Sequence, residues 1–204
     1  MLRALRILTV VLLAGAIGLT IAKVRSYRND ATPLDDLGSL GEFSFTSSTG
    51  GTISDRDLNG KVCVFACFFT CCTESCPQIS GSMARLQSEL SDVADLRLVS
   101  LTVDPETDTP EKLAAYGKTF GAEPNRWLFL TGPREQVESF VIGRLRQAVE
   151  ENKDADRTPG NKMLHSSRLT LVDTKGTIRG LFDGTSADEV DKLKLAVRRL
   201  ARER

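Results

Sequence analysis

The 204-residue sequence carries no surplus of either charge, since 27 Lys and Arg stand against 27 Asp and Glu. Binding a phosphate backbone relies on clustered excess cations, so nucleic acid is excluded as a partner. Histidine is nearly missing, and His165 is the only one. A site built from several imidazoles is therefore excluded, and His165 taken alone fits a surface or capping residue as readily as a ligand. No segment repeats, which removes solenoid architectures. There is also no Cys-X-X-Cys pair, the two-residue gap of ordinary thioredoxin motifs, although five cysteines are present.

What is present is organised around residues 61–77, KVCVFACFFTCCTESCP. The stretch opens as an apolar run rich in Val, Phe and Cys, the signature of a strand buried on both faces. Residues 78–90 then place Ile79, Met83, Leu86 and Leu90 at helical spacing. Cys71, Cys72 and Cys76 thus fall where a buried strand turns into a helix, and the helix N-terminus there favours thiolate over thiol. The Cys72/Cys76 spacing suits either a disulfide or a soft metal ion such as Cu(I). Cys63 and Cys67 lie on one face of the strand with Phe65 and Phe69, and read as small core hydrophobes.

The N-terminus is of another kind. Residues 7–22 hold no charge, with Arg3 and Arg6 before them and Lys23, Arg25 and Arg28 after. Sixteen helical residues reach about 24 Å, short of a hydrocarbon core of about 30 Å unless the flanks contribute. Residues 1–22 are read as a transmembrane anchor, with a cleaved signal peptide as the alternative. Export on either reading puts the remainder where thiols can oxidise. Residues 23–40, polar with Pro33 and Gly38, read as a tether, and residues 41–204 as one domain.

Within that domain, residues 41–53 alternate around Phe43 and Phe45 and turn at Gly50-Gly51, a hairpin pattern. Strands are expected over 95–103, 126–130, 167–172 and 176–182. Helices are expected over 111–120, from 133 to about 149, and after a capping box at Ser186 and Glu189. Residues 150–162 read as a charged loop. Asp104 to Glu111 reads as a capped strand-to-helix loop, with Asp104 close to the cysteine turn if the two strands are neighbours. The order of elements is that of an α/β, thioredoxin-like, three-layer domain with a mixed central sheet.

Several motifs in order resemble the Sco/SenC family. They are Gly60-Lys61, the run Phe69-Thr70-Cys71-Cys72-Thr73-Glu74-Ser75-Cys76-Pro77, and Ser100 to Glu106. Asp108-Thr109-Pro110-Glu111 with Leu113 and Tyr116, then His165-Ser166, Leu171-Val172-Asp173 and Gly176, complete the set. The resemblance implies that Cys72, Cys76 and His165 bind one copper ion, and that the two cysteines also cycle between dithiol and disulfide. It further implies a role in building the copper centre of cytochrome c oxidase, with the copper-bearing subunit or another copper or thiol protein as partner. The anchor would hold the domain on the periplasmic side of the inner membrane. Two departures from the family pattern stand out: Thr73 where proline is common, and Leu164 where an acidic residue is common. A metal-independent thiol–disulfide oxidoreductase or peroxidase-like protein is the alternative, and in that case His165 would be dispensable.

Overall fold

The computed structural model describes residues 34–154 and 157–203. The expected membrane segment, residues 1–22, and the first part of the tether lie outside them. Among the described residues no helix is long and apolar enough to cross a membrane.

The centre is β3 (Val62–Phe68), whose seven side chains are all buried. Such a strand needs cover on both faces, and it receives it. β3 pairs in parallel with β4 (Leu96–Thr102), which pairs in parallel with β5 (Trp127–Thr131). Parallel neighbours require crossovers. These are α2 (Cys76–Glu89) and α3 (Pro110–Thr119). Both cover one face, where Ser80 of α2 meets Tyr116 of α3 at 2.9 Å and Phe68 stacks on Tyr116. The last helix, α5 (Ala187–Leu200), joins α2 through the pair Arg85–Asp191, and its Arg198 reaches Asp92 in the turn after α2. The opposite face carries α4 (Arg134–Gly143), whose Phe140 packs against Phe43, Phe45 and Phe65.

The remaining strands run antiparallel. β1 (Ser44–Ser47) pairs with β5 and with β2 (Thr52–Ser54), through a turn in which Gly50 and Gly51 both adopt positive φ. A single helical turn, α1 (Asp55–Leu58), follows β2. β8 (Arg168–Val172) pairs with β3 and with β9 (Ile178–Asp183), giving the sheet order β2-β1-β5-β4-β3-β8-β9. The sheet is mixed and the layering is α/β/α, as the sequence pattern implies. Residues 34–40, the end of the expected tether, lie against this edge: Leu37 N–H donates to Ile178 O and Leu40 is buried.

Three local expectations need correction. The helix expected to reach about residue 149 stops at Gly143. The N–H groups of Arg144 and Leu145 both turn back to Phe140 O, and Arg146 takes a positive φ. The chain is thereby freed to form β6 (Val149–Glu151), which pairs with β7 (Met163–His165). Residues 150–162 are consequently not all loop, because Glu150 and Glu151 belong to β6, and β7 begins directly after Lys162. At Ser186, Oγ accepts from Glu189 N–H at 3.4 Å, but the Glu189 carboxylate turns to Lys192, so only half of the capping box forms.

Cys63 and Cys67 are 2% and 1% exposed, and burial pushes both thiols up to about 12. They are core side chains. Cys67→Ser, which buries a hydroxyl with no partner in place of sulfur, is expected to lower the unfolding free energy by about 1–3 kcal/mol. Urea denaturation with an unchanged m-value checks this.

Candidate metal centre

β3 delivers its chain into the site through Phe69 and Thr70. Cys72 N–H donates to Phe69 O at 3.2 Å, closing a tight bend, and α2 then starts at Cys76 with Pro77 in its first turn. Proline costs nothing there because the N–H it lacks has no intrahelical partner. The bend and the helix start hold two sulfurs at one end of the sheet, Cys72 half-buried and Cys76 fully buried.

The third group arrives from far away in sequence. β7 ends at His165, and its Nε2 lies 3.0 Å from Cys76 Sγ, across 89 positions of chain. Phe69 packs edge-on against the imidazole, with ring centroids 5.9 Å apart. His165 Nδ1 is 3.0 Å from Ser166 O. A carbonyl only accepts, so Nδ1 carries a proton, and Nε2 is the ring nitrogen that faces the sulfurs. Leu164 is 42% exposed, and the partner of Nδ1 is the backbone of residue 166 rather than the side chain of residue 164.

The ligand atoms of Cys72, Cys76 and His165 all lie within 4.8 Å of one another. Nitrogen and sulfur donors sit roughly 2.0–2.3 Å from a bound metal, so one ion could bridge the three. Two soft sulfurs and one imidazole suit copper. Three protein donors leave a fourth position open, which is not how structural zinc is held.

The two sulfurs are not equivalent. Cys76 donates to Cys72 and, with His165, brings the Cys72 thiol down to about 4, against the opposing effect of desolvation. The same contact, reinforced by burial, drives Cys76 upward, while the Phe69 backbone pulls it down. One proton is therefore held between the pair, and it resides on Cys76. Sequence reasoning anticipated a thiolate at this turn but credited the helix N-terminus. The stronger cause is the neighbouring thiol.

Cys71 is exposed, and its sulfur is not among the three that converge. Asp104 is 2% exposed and lies just past the end of β4, next to β3, as expected for strands that are neighbours. Its Oδ2 is 2.6 Å from Lys162 Nζ. Asp108, which the sequence placed in a capped loop and in one of the family-like motifs without a role of its own, is fully buried beneath the bend. Its carboxylate accepts from Thr70 N–H at 3.0 Å, from the Thr70 hydroxyl, and from Thr102 Oγ1 at 2.5 Å. Burial raises its carboxyl, and these three donors act against that rise. The signal available in sequence was an acid placed a few residues beyond a buried strand's end, which is a weak one.

With this geometry in hand, the comparisons with known proteins agree. The sequence profile described as SCO1/SenC matches residues 32–201. The SCO1 protein homolog of Bacillus subtilis (strain 168) is 28% identical over 153 residues, covering 74% of this chain and 77% of that protein. A crystal structure of a SCO1/SenC family lipoprotein from Bacillus anthracis str. Ames superimposes with a TM-score of 0.73 at 28% identity, covering 85% of this chain and 99% of that one. The structure of Bradyrhizobium japonicum ScoI with copper bound does so with a TM-score of 0.60 at 26% identity, covering 78% and 98%.

Two outcomes follow from the site. Because the reactive form is the thiolate, alkylation of Cys72 by iodoacetamide should hold a constant rate from about pH 8 down to about pH 5. An ordinary thiol would slow about tenfold per pH unit over that range, and peptide mapping distinguishes the two. Asp108→Ala leaves buried donors unmet and is expected to cost about 1–3 kcal/mol in denaturant unfolding.

Proposed function

The chain belongs to the SCO1/SenC family, and on that premise we propose that it is a copper-binding protein that assists assembly of the copper centre of cytochrome c oxidase. Cys72 and Cys76 act as thiolate ligands and His165 as the imidazole ligand. The observation that carries this reading is the convergence of the three donor atoms within 4.8 Å, brought about by two elements far apart in sequence. The copper bound to the related ScoI supports the choice of metal. Copper is here the cargo, and the chain's own groups do the work of receiving it.

Each group has a distinct part. Cys72 is already a thiolate and offers the first anionic donor from a half-buried position. His165 Nε2 is the ring nitrogen available to the metal, because the Ser166 carbonyl engages Nδ1. Cys76 must give up the proton it holds before it can bind. Metal binding and proton release are thus coupled at one named sulfur.

The N-terminal segment supports attachment to the bacterial inner membrane, with the domain on the periplasmic side. The lipoprotein relative is consistent with a membrane-tethered way of life. Recipients of this kind are the copper-bearing subunit of the oxidase or another copper or thiol protein.

A second reading is favoured by one observation, the asymmetry of the sulfurs. A depressed thiolate at Cys72 backed by a protonated Cys76 is the arrangement of an attacking and a resolving thiol, and would serve metal-independent thiol–disulfide exchange.

Anaerobic titration of the soluble domain separates the readings. One Cu(I) per chain is expected, abolished by Cys72→Ala or Cys76→Ala and weakened by His165→Ala. Near neutral pH, copper uptake should release about one proton, where two ordinary thiols would release about two. Unchanged copper affinity in all three variants, with thiol-exchange rates insensitive to His165→Ala, would favour the redox reading.

A further inference from the structure

His165 poses a mechanical problem. It ends β7, a three-residue strand that among the described residues ladders with β6, and the chain rejoins the large sheet three residues later at β8, beside β3. The cysteines extend from the end of the central strand. On its other side the hairpin is registered against the cysteine half by contacts outside both sheets.

The loop between β4 and α3 touches both halves. On the cysteine side, Asp108 grips Thr70, two residues before Cys72. On the histidine side, Asp104 meets Lys162, three residues before His165, at 2.6 Å. Lys162 Nζ also donates to Thr107 Oγ1 at 2.7 Å, so the ammonium is held by two residues of the same loop. The loop itself is stiff. Asp108 N–H donates to Asp104 O at 2.9 Å, Thr107 N–H donates to the same oxygen, and Asp104 N–H donates to Thr102 Oγ1. Lys162 O in turn accepts from Asn152 N–H, which ties the lysine to the start of the hairpin.

A second contact runs beside the first. Thr73 N–H, within the cysteine bend, donates to Gly160 O at 3.2 Å, and a Cβ on Gly160 would stand 2.7 Å from Thr73 Oγ1. Glycine lets the hairpin loop come this close.

We propose that Lys162 is a positioning residue, which by pairing with Asp104 and Thr107 seats His165 against Cys76. The loop 104–108 is then a common fixture, one carboxylate fastening the cysteine bend and the other fastening the imidazole's hairpin. Breaking the Lys162 contact releases the histidine while leaving both sulfurs in place. This inference rests on the reading of His165 as a ligand for its functional meaning, but the seating itself is a property of the metal-free protein.

The test compares wild type, Lys162→Met, Lys162→Arg and Thr107→Val. As the sole histidine, His165 gives one set of imidazole resonances, shifted by the Phe69 ring beside it. In the metal-free protein, Lys162→Met should move these signals toward free-imidazole values and speed amide exchange at residues 163–165, with the amides of β3 and β4 unchanged. Lys162→Arg should restore them. Thr107→Val, which keeps every charge, should give a smaller change in the same direction and covers the case in which Lys162→Met fails to fold. With copper, Lys162→Met should keep one Cu(I) per chain, lose the nitrogen hyperfine coupling of the Cu(II) form, and bind Cu(II) about 10–100-fold more weakly. Unchanged imidazole signals in folded Lys162→Met, or in Thr107→Val should Lys162→Met not fold, overturn the inference. A wild-type protein that binds no copper sinks the functional reading alone, since the imidazole signals are read without metal.

Discussion

The contact between Cys76 and His165 is the constraint to which the rest of the molecule answers. It brings a thiol at the first turn of a helix within 3.0 Å of an imidazole 89 positions further along. Neither group is held there by its neighbours in sequence. Cys76 is placed because β3 is buried on both faces and ends at a bend that a pinned helix start can follow. His165 is placed because the chain after α4 abandons its helix, doubles back as a hairpin, and rests on the loop beyond β4. The ligand set exists only in the folded state, so whatever binds it adds its binding free energy to folding.

The five cysteines show how far environment, rather than residue type, decides chemistry. Cys63 and Cys67 lie in the sheet, and burial raises both to about 12, at Cys63 in spite of the charges of Lys61 and Arg97. Cys72 differs from them chiefly in having a thiol donor and an imidazole within reach, and it falls to about 4. Desolvation disfavours the charged form of all three thiols. What separates Cys72 is hydrogen bonding to the charged form, which outweighs partial burial. Of the two thiol protons, the one on Cys72 is given up and the one on Cys76 is kept, beside the imidazole of His165.

Much of this was legible in the sequence because local signals and tertiary demands agreed. The unbroken apolar run 62–68 could only be a doubly covered strand, Gly50-Gly51 could only be a turn, and Thr109 before Pro110 could only open a helix. Reading failed where the two diverged. The apolar pattern of α4 continues through Leu145 and Val149, yet those residues are buried by a reversed chain rather than by a longer helix. The hairpin of β6 and β7 was hidden by the charges between its strands, since their burial is set by what they lie against. His165 was singled out by chemistry and by resemblance, never by local pattern. Asp108 escaped notice because a buried acid looks like any loop acid until its donors are known.

The asymmetry of the sulfur pair bears on how metal work and redox work could share one site. A disulfide between Cys72 and Cys76 would engage both sulfurs, so the oxidised pair could not receive copper through them. On the proposed reading the reduced pair would meet both needs with the same atoms, the Cys72 thiolate serving as first ligand and as first nucleophile. What distinguishes the two uses is the imidazole. Seated 3.0 Å from Cys76 Sγ, it stands beside both sulfurs and against the thiol that would have to resolve a mixed disulfide. Withdrawn, it leaves a bare dithiol in which Cys76 is free to act. The balance between the two therefore lies not at the cysteines but in the hairpin that carries His165, and in the few polar contacts that hold that hairpin down.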